Sequence, residues 1–177
     1  MKKLLTEEQV QEGVDRLAAE ICYHYERRPL TVVGVLTGSI VLLADLIRRL
    51  DMPLRLELVR ASSYRGPVLV PGTLEIQAGL LAGIEGQDVL IVDDIFDTGN
   101  TLDALIKQLR SLQPASLRSA VLLRKHGRKA VAMEPDHVAF EIPDQFVVGY
   151  GLDYQDAYRH LPYVAALDEA ELGEAYA

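Results

Sequence analysis

The chain has 177 residues, about half of them hydrophobic and a quarter charged, which is enough for one well-buried domain and too few for two. Its formal charge of -8 and pI near 5 argue against a nucleic-acid partner, which calls for a basic surface, and toward a small-molecule ligand. One cysteine, Cys22, leaves no internal disulfide, no signal sequence opens the chain, and Leu30 to Ala44, the longest uncharged stretch, is short for a membrane span and broken by Gly34, Thr37, Gly38 and Ser39, so a cytoplasmic protein without a membrane partner is expected.

In chain order, the first element is a helix: Thr6 and Gln9 have capping-box spacing, and Val10, Val14, Leu17, Ile21 and Tyr25 recur on one face. It is expected to pack on a sheet, with Cys22 and His24 flanking the stripe as partly buried or surface side chains. Leu30 to Leu36 lacks polar alternation and reads as a buried strand, followed by an amphipathic helix over Ile40 to Leu50 with Asp45, Arg48 and Arg49 facing solvent. Leu54 to Val59 carries Arg55 and Glu57 at alternating positions, as in a strand with one wetter face. From Arg60 onward the period is lost, and Gly66, Pro67, Pro71 and Gly72 mark a long loop with a short edge strand over Gly72 to Ala78. Val89 to Val92 is a third buried strand, Thr101 onward turns helical through Leu102, Leu105, Ile106 and Leu109, and Leu117 to Leu123 and Val138 to Ile142 supply further strands. The pattern is that of a single α/β domain, without internal repeat or linker.

Chemistry concentrates where Val92 runs into Asp93, Asp94 and Asp97 and then Thr98, Gly99, Asn100 and Thr101. A loop between the carboxyl end of a strand and the amino end of a helix offers free N–H groups and a helix dipole, a seat for phosphate. Three carboxylates would repel a bare phosphate, so the ligand must also bring hydroxyl donors or a divalent cation. A sugar phosphate meets both needs: Asp93 and Asp94 accept from a ribose diol, while Thr98, Gly99 and Thr101 surround a 5′-phosphate. A surface turn that merely caps the helix would use the same Asp-Thr-Gly-Asn residues, but the paired carboxylates on an apolar strand exceed what capping needs. Leu36-Thr37-Gly38-Ser39 has the same strand-to-helix setting and should face the same crevice; in isolation it also fits a tight turn with Ser39 as helix cap.

The segment VDDIFDTGNT resembles the ribose-phosphate signature of type I phosphoribosyltransferases, and IPDQFVVGYGLDY, residues 142 to 154, resembles their hypoxanthine-guanine branch. The resemblance covers most of residues 30 to 165. It implies the type I phosphoribosyltransferase fold over residues 1–177, a twisted, mainly parallel sheet flanked by helices with a small hood built from the chain ends. It also implies an activity in purine salvage: transfer of 5-phosphoribosyl from phosphoribosyl pyrophosphate to N9 of hypoxanthine or guanine, giving IMP or GMP and pyrophosphate with Mg²⁺ as cofactor. A homodimer or homotetramer is implied as well.

Carried over residue by residue, the resemblance gives the backbone amides of Thr37, Gly38 and Ser39 to the diphosphate. Relatives often have a non-proline cis peptide before the position of Thr37, and many carry Lys or Arg there, so only the amide of Thr37 is expected to help. Ser63 and Tyr64 would fold over bound substrates as part of a lid that excludes water. Asp93 and Asp94 would meet the ribose and, with Asp153, the metal; Thr98, Gly99, Asn100 and Thr101 would hold the 5′-phosphate. Asp97 would handle the proton at purine N7. Lys125 aligns with a lysine that donates to the 6-oxo group, and an ammonium has donors but no acceptor, which favours 6-oxopurines over adenine. Phe146 would stack on the purine, with the backbone of Val147 at the base edge, although both also fit plain core positions. Arg159 would offer its guanidinium to the phosphates. Two other readings stay open: a regulator of the same fold that binds nucleotides and RNA, and an enzyme preferring xanthine, which differs only at the 2-position.

Overall fold

The computed structural model describes residues 1–60, 83–127 and 129–174. Ser63, Tyr64 and the expected edge strand over Gly72 to Ala78 lie outside them. The elements in chain order are β1 (Lys2–Leu5), α1 (Glu7–Tyr25), β2 (Leu30–Leu36), α2 (Ile40–Ile47), β3 (Leu54–Arg60), β4 (Asp88–Phe96), α3 (Asn100–Arg110), β5 (Ser116–Lys125), β6 (His137–Ile142), β7 (Phe146–Val148), β8 (Val164–Leu167) and α4 (Glu169–Glu174).

Strands β3-β2-β4-β5-β6 form a parallel sheet in that order. Side chains alternate across it: Val32, Leu90, Val92 and Leu122 pack on one face under α1 and α2, and Val33, Val35, Ile91 and Val121 on the other under α3. Both faces are covered, which is why β2 and β4 read as unbroken apolar runs. The expected capping box opens α1: Gln9 N donates to Thr6 Oγ1 at 3.3 Å, and Thr6 N donates to Gln9 Oε1 at 2.8 Å. All five residues of its predicted stripe are buried, as are Leu102, Leu105, Ile106 and Leu109 of α3.

The hood is a three-stranded antiparallel sheet, β1-β8-β7, made from the chain ends. Its strands are only three or four residues long, too short for a hydrophobic period to show in the sequence. Val147, Tyr150, Leu152 and Val164 join the same hydrophobic cluster as α1 and α2, so the hood shares the core of the main sheet.

Three expectations are corrected. Strand β4 does not end at Val92 but runs to Phe96, because β5 continues beside it and pairs Asp93 with Val121, Ile95 with Leu123 and Phe96 with Arg124. Asp93 and Asp94 are therefore strand residues, and the loop starts at Asp97. Helix α2 stops at Ile47, where Arg48 and Arg49 form a turn. Asp45 does not face solvent: its side chain is 16% exposed and accepts from Tyr150 Oη at 2.6 Å and Gln11 Nε2 at 3.2 Å.

Candidate active site

Parallel neighbours β2 and β4 deliver their two following loops to one edge of the sheet. The Leu36–Thr37 peptide is cis, Thr37 is exposed, and the Ser39 hydroxyl donates back to the Val35 carbonyl instead of capping α2. Gly38 lies hard against β4: a Cβ there would fall 1.6 Å from Asp94 Oδ2, so only glycine lets this loop approach the carboxylate. On the other side Gly99 starts α3 at φ 83°, with no side chain capping the helix end. Ala130 N donates to the Thr98 carbonyl at 2.9 Å, folding the loop after β5 over this turn. Between the loops is a cavity of about 290 Å³ lined by Thr37, Gly38, Asp93, Asp94 and the run from Asp97 through Thr101. Its walls are amides, hydroxyls and a helix N-terminus, the chemistry of a phosphate seat.

Asp93 and Asp94 give this cavity a strongly acidic back wall. Burial, and then the charge of Asp94, push the Asp93 carboxyl well above the usual carboxylate range. Burial also raises Asp94, against hydrogen bonding to Asp93 and from the Ile95 amide and against the charge of Arg159. Such a pair favours a shared proton, hydroxyl donors or a cation. Among the described residues no group of three or more His, Cys, Asp or Glu side chains gathers around one point. A cation here would therefore take the rest of its coordination from a ligand, as Mg²⁺ commonly does with phosphates.

A second cavity, of about 200 Å³, adjoins the first and shares Asp94, Ile95 and Asp97 with it. Lys125, Phe146, Val147, Leu152 and Asp153 complete its walls. The Lys125 side chain is only 6% exposed, and its Nζ donates to Asp97 Oδ2 at 3.2 Å and stands 3.9 Å from Asp144 Oδ1. Phe146 is 38% exposed and meets Tyr154 edge-on at 5.3 Å, which leaves a ring surface for stacking; it is not a core residue, whereas the Val147 side chain is buried. Asp153 and Arg159 pair at 2.9 Å, and Arg159 Nη1 also donates to the Gly151 carbonyl at 2.8 Å. Arg159 thus braces the rim of the cavity.

The structure brings together Thr37, Gly38, Asp93, Asp94, Asp97 and Thr98 to Thr101 in one cavity and Lys125, Phe146, Val147 and Asp153 in its neighbour. Ser39 is buried behind its loop, and Arg159 reaches the site through its charge on Asp94. The sequence reading missed Ile95 and Leu152 as cavity walls, Asp144 as a second neighbour of Lys125, and the arch at Gly149-Tyr150-Gly151. Two glycines around a tyrosine were the available signal for the arch.

A family model, the phosphoribosyl transferase domain, matches residues 1–155. The chain belongs to the phosphoribosyl transferase family. It is 44% identical over 164 residues to the hypoxanthine-guanine phosphoribosyltransferase of Staphylococcus epidermidis, covering 93% of this chain and 92% of that relative. Among solved structures it is similar to a hypoxanthine-guanine phosphoribosyltransferase of Bacillus anthracis, with TM-score 0.88, 36% identity and coverage of 95% of this chain and 99% of that one. A hypoxanthine phosphoribosyltransferase of Staphylococcus aureus matches with TM-score 0.87, 41% identity and coverage of 95% and 91%. This phosphoribosyl transferase has the mixed α/β architecture of those structures, with its parallel sheet flanked by helices. No helix among its described residues is long and apolar enough to cross a membrane.

Proposed function

We propose that this phosphoribosyl transferase, acting as one domain, is a purine salvage enzyme that transfers 5-phosphoribosyl from phosphoribosyl pyrophosphate to N9 of hypoxanthine or guanine, releasing pyrophosphate and IMP or GMP. The observation that carries this reading is the pair of adjoining cavities. One is a phosphate seat, the other holds a buried ammonium beside an exposed aromatic ring, and they meet at Asp94, Ile95 and Asp97. A ribose bridging them would have its 5′-phosphate at Thr98, Gly99, Asn100 and Thr101, its diphosphate at the amides of Thr37, Gly38 and Ser39, and its hydroxyls at Asp93 and Asp94.

Phe146 stacks on the purine and the Val147 main chain meets its edge, while Lys125 donates to the 6-oxo oxygen. On a 6-oxopurine that oxygen neighbours N7, as Lys125 neighbours Asp97 at 3.2 Å. Asp97 takes or gives the proton at N7 while N9 attacks the anomeric carbon. Asp93, Asp94 and Asp153, hard oxygen donors on the two cavity walls, suit Mg²⁺. These carboxylates would hold the ion together with oxygens of the substrate, and it would supply positive charge to offset that developing on the leaving group. Arg159 holds Asp153 at the rim and offers its guanidinium to the same phosphates. The enzyme works in the cytoplasm as a homodimer or homotetramer on small-molecule substrates, with no nucleic-acid or membrane partner.

Steady-state nucleotide formation with Mg²⁺ and phosphoribosyl pyrophosphate, offering hypoxanthine, guanine, xanthine, adenine and uracil separately, tests this reading. Product from hypoxanthine and guanine supports it. Turnover with xanthine alone would transfer the assignment to that base, and turnover with none would overturn the enzyme reading in favour of a nucleotide-binding regulator.

A further inference from the structure

Gly149, Tyr150 and Gly151 form a backbone arch with φ values of 94°, 51° and 99°. A tyrosine rarely adopts that conformation, so the surroundings must hold it there. Within the hood, Tyr150 N donates to the Leu161 carbonyl at 2.7 Å and Gly151 N to the Arg159 carbonyl at 3.0 Å. A further bond leaves the hood: Tyr150 Oη donates to Asp45 Oδ2 on α2 at 2.6 Å. Asp45 also accepts from Gln11 Nε2 at 3.2 Å, and Arg49 Nη2 donates to Gln11 Oε1 at 2.6 Å, which fixes the orientation of that amide. The arch, α1 and α2 are thus tied at one carboxylate, and α2 is the helix that follows the loop of Thr37, Gly38 and Ser39.

The arch also touches that loop directly. A Cβ on Gly151 would fall 2.2 Å from the Gly38 carbonyl oxygen, and a Cβ on Gly38 would fall 1.6 Å from Asp94 Oδ2. Gly38 thus has close neighbours on both the arch and β4, and neither glycine could carry a side chain without a shift. We propose that Tyr150 and Asp45 are positioning residues whose hydrogen bond braces the arch against α2 and thereby sets the backbone amides of Thr37 to Ser39 for a diphosphate. The inference rests on the reading of that loop as the diphosphate seat. Tyr150 is 3% exposed, and burial, then the bond to Asp45, raise its phenol well above the ordinary value. Burial of Asp45 is outweighed by the bonds from Tyr150, Gln11 and Arg48, which hold its carboxyl low. Donor and acceptor therefore keep their roles throughout the neutral range.

The test compares Tyr150→Phe, Asp45→Asn and Asp45→Ala with the wild type, reading KM for each substrate, binding of inorganic pyrophosphate with Mg²⁺ by calorimetry, and the melting temperature. Tyr150→Phe removes only the donor and should weaken pyrophosphate binding and raise KM for phosphoribosyl pyrophosphate about tenfold, while KM for hypoxanthine stays within about twofold. Asp45→Asn keeps an acceptor oxygen and should rescue pyrophosphate binding to near the wild-type level, whereas Asp45→Ala should match Tyr150→Phe. Unchanged pyrophosphate binding in Tyr150→Phe, an equal rise in both KM values, or an Asp45→Asn variant as impaired as Asp45→Ala would overturn the inference alone. A wild-type protein that does not bind pyrophosphate would instead overturn the diphosphate reading, and this inference with it.

Discussion

The Lys125 ammonium lies 3.2 Å from Asp97 Oδ2 and 3.9 Å from Asp144 Oδ1, with 6% of its side chain exposed. Lys125 is the last residue of β5, and Asp97 follows the last residue of β4. Parallel pairing of Phe96 with Arg124 sets the two ends side by side. The group proposed to read the 6-oxo oxygen and the group proposed to handle the N7 proton are thereby neighbours, as those two purine atoms share one edge of the base.

Asp97→Asn keeps the shape and a hydrogen-bonding side chain but removes the proton acceptor. The turnover number is expected to fall about 100-fold or more, the usual range for loss of general acid–base help, with KM for both substrates changed far less. Unimpaired turnover would remove Asp97 from that role.

Lys125→Gln exchanges a pure donor for a side chain that can both donate and accept. Hypoxanthine should bind roughly tenfold or more weakly, and discrimination against adenine should narrow, since the amide oxygen can accept from a 6-amino group. Competition between the two bases in a single reaction measures this directly. An unchanged preference would mean that the main chain near Val147 carries the selection.

Asp93→Asn separates function from stability. The Asp93 carboxyl, ordinarily near 3.8, is raised in the folded protein by burial and by Asp94. A raised acid lends stability that is full below its unfolded value and lost as pH rises through the folded value. At pH 8, far above the ordinary carboxyl value and in the presence of a chelator, the wild type bears the cost of this raised acid. The Asp93→Asn variant should therefore melt higher by several degrees, taking roughly 1 kcal/mol as about 2–4 °C for a protein of this size, and the gain should shrink as pH falls toward 4. The same substitution should weaken the stabilisation that Mg²⁺ with phosphoribosyl pyrophosphate gives the wild type. A lower melting temperature at pH 8 would show that the pair is not a burden on the empty site.

Gly149→Ala tests the arch as a fold element. The position has φ 94° and would put a Cβ 2.0 Å from the Tyr163 carbonyl oxygen, a backbone atom that cannot swing aside. Left-handed strain and overpacking together should cost about 2 kcal/mol or more, read as a shift of the urea midpoint with the slope unchanged. A stability equal to wild type would mean that the arch can relax without loss.

Much of this protein was legible in one dimension because it depends on near neighbours. The unbroken apolar runs of β2 and β4, the capping box at Thr6 and Gln9, the stripe from Val10 to Tyr25 and the Asp97-Thr98-Gly99 turn before α3 are all set within a few residues, and the motifs around Asp93 and Phe146 carried the family resemblance. Tertiary structure decided what depends on partners far along the chain. Pairing with β5 carried β4 past Val92 and made Asp93 and Asp94 strand residues. The strands β1 and β8 exist because they pair with each other from opposite ends of the chain. Asp45 accepts a hydrogen bond from Tyr150, 105 positions away, and Lys125 meets Asp97 across 28. Periodicity reports which face of an element is apolar, but not which polar atom waits opposite, and the fine geometry of this site is made of such opposites.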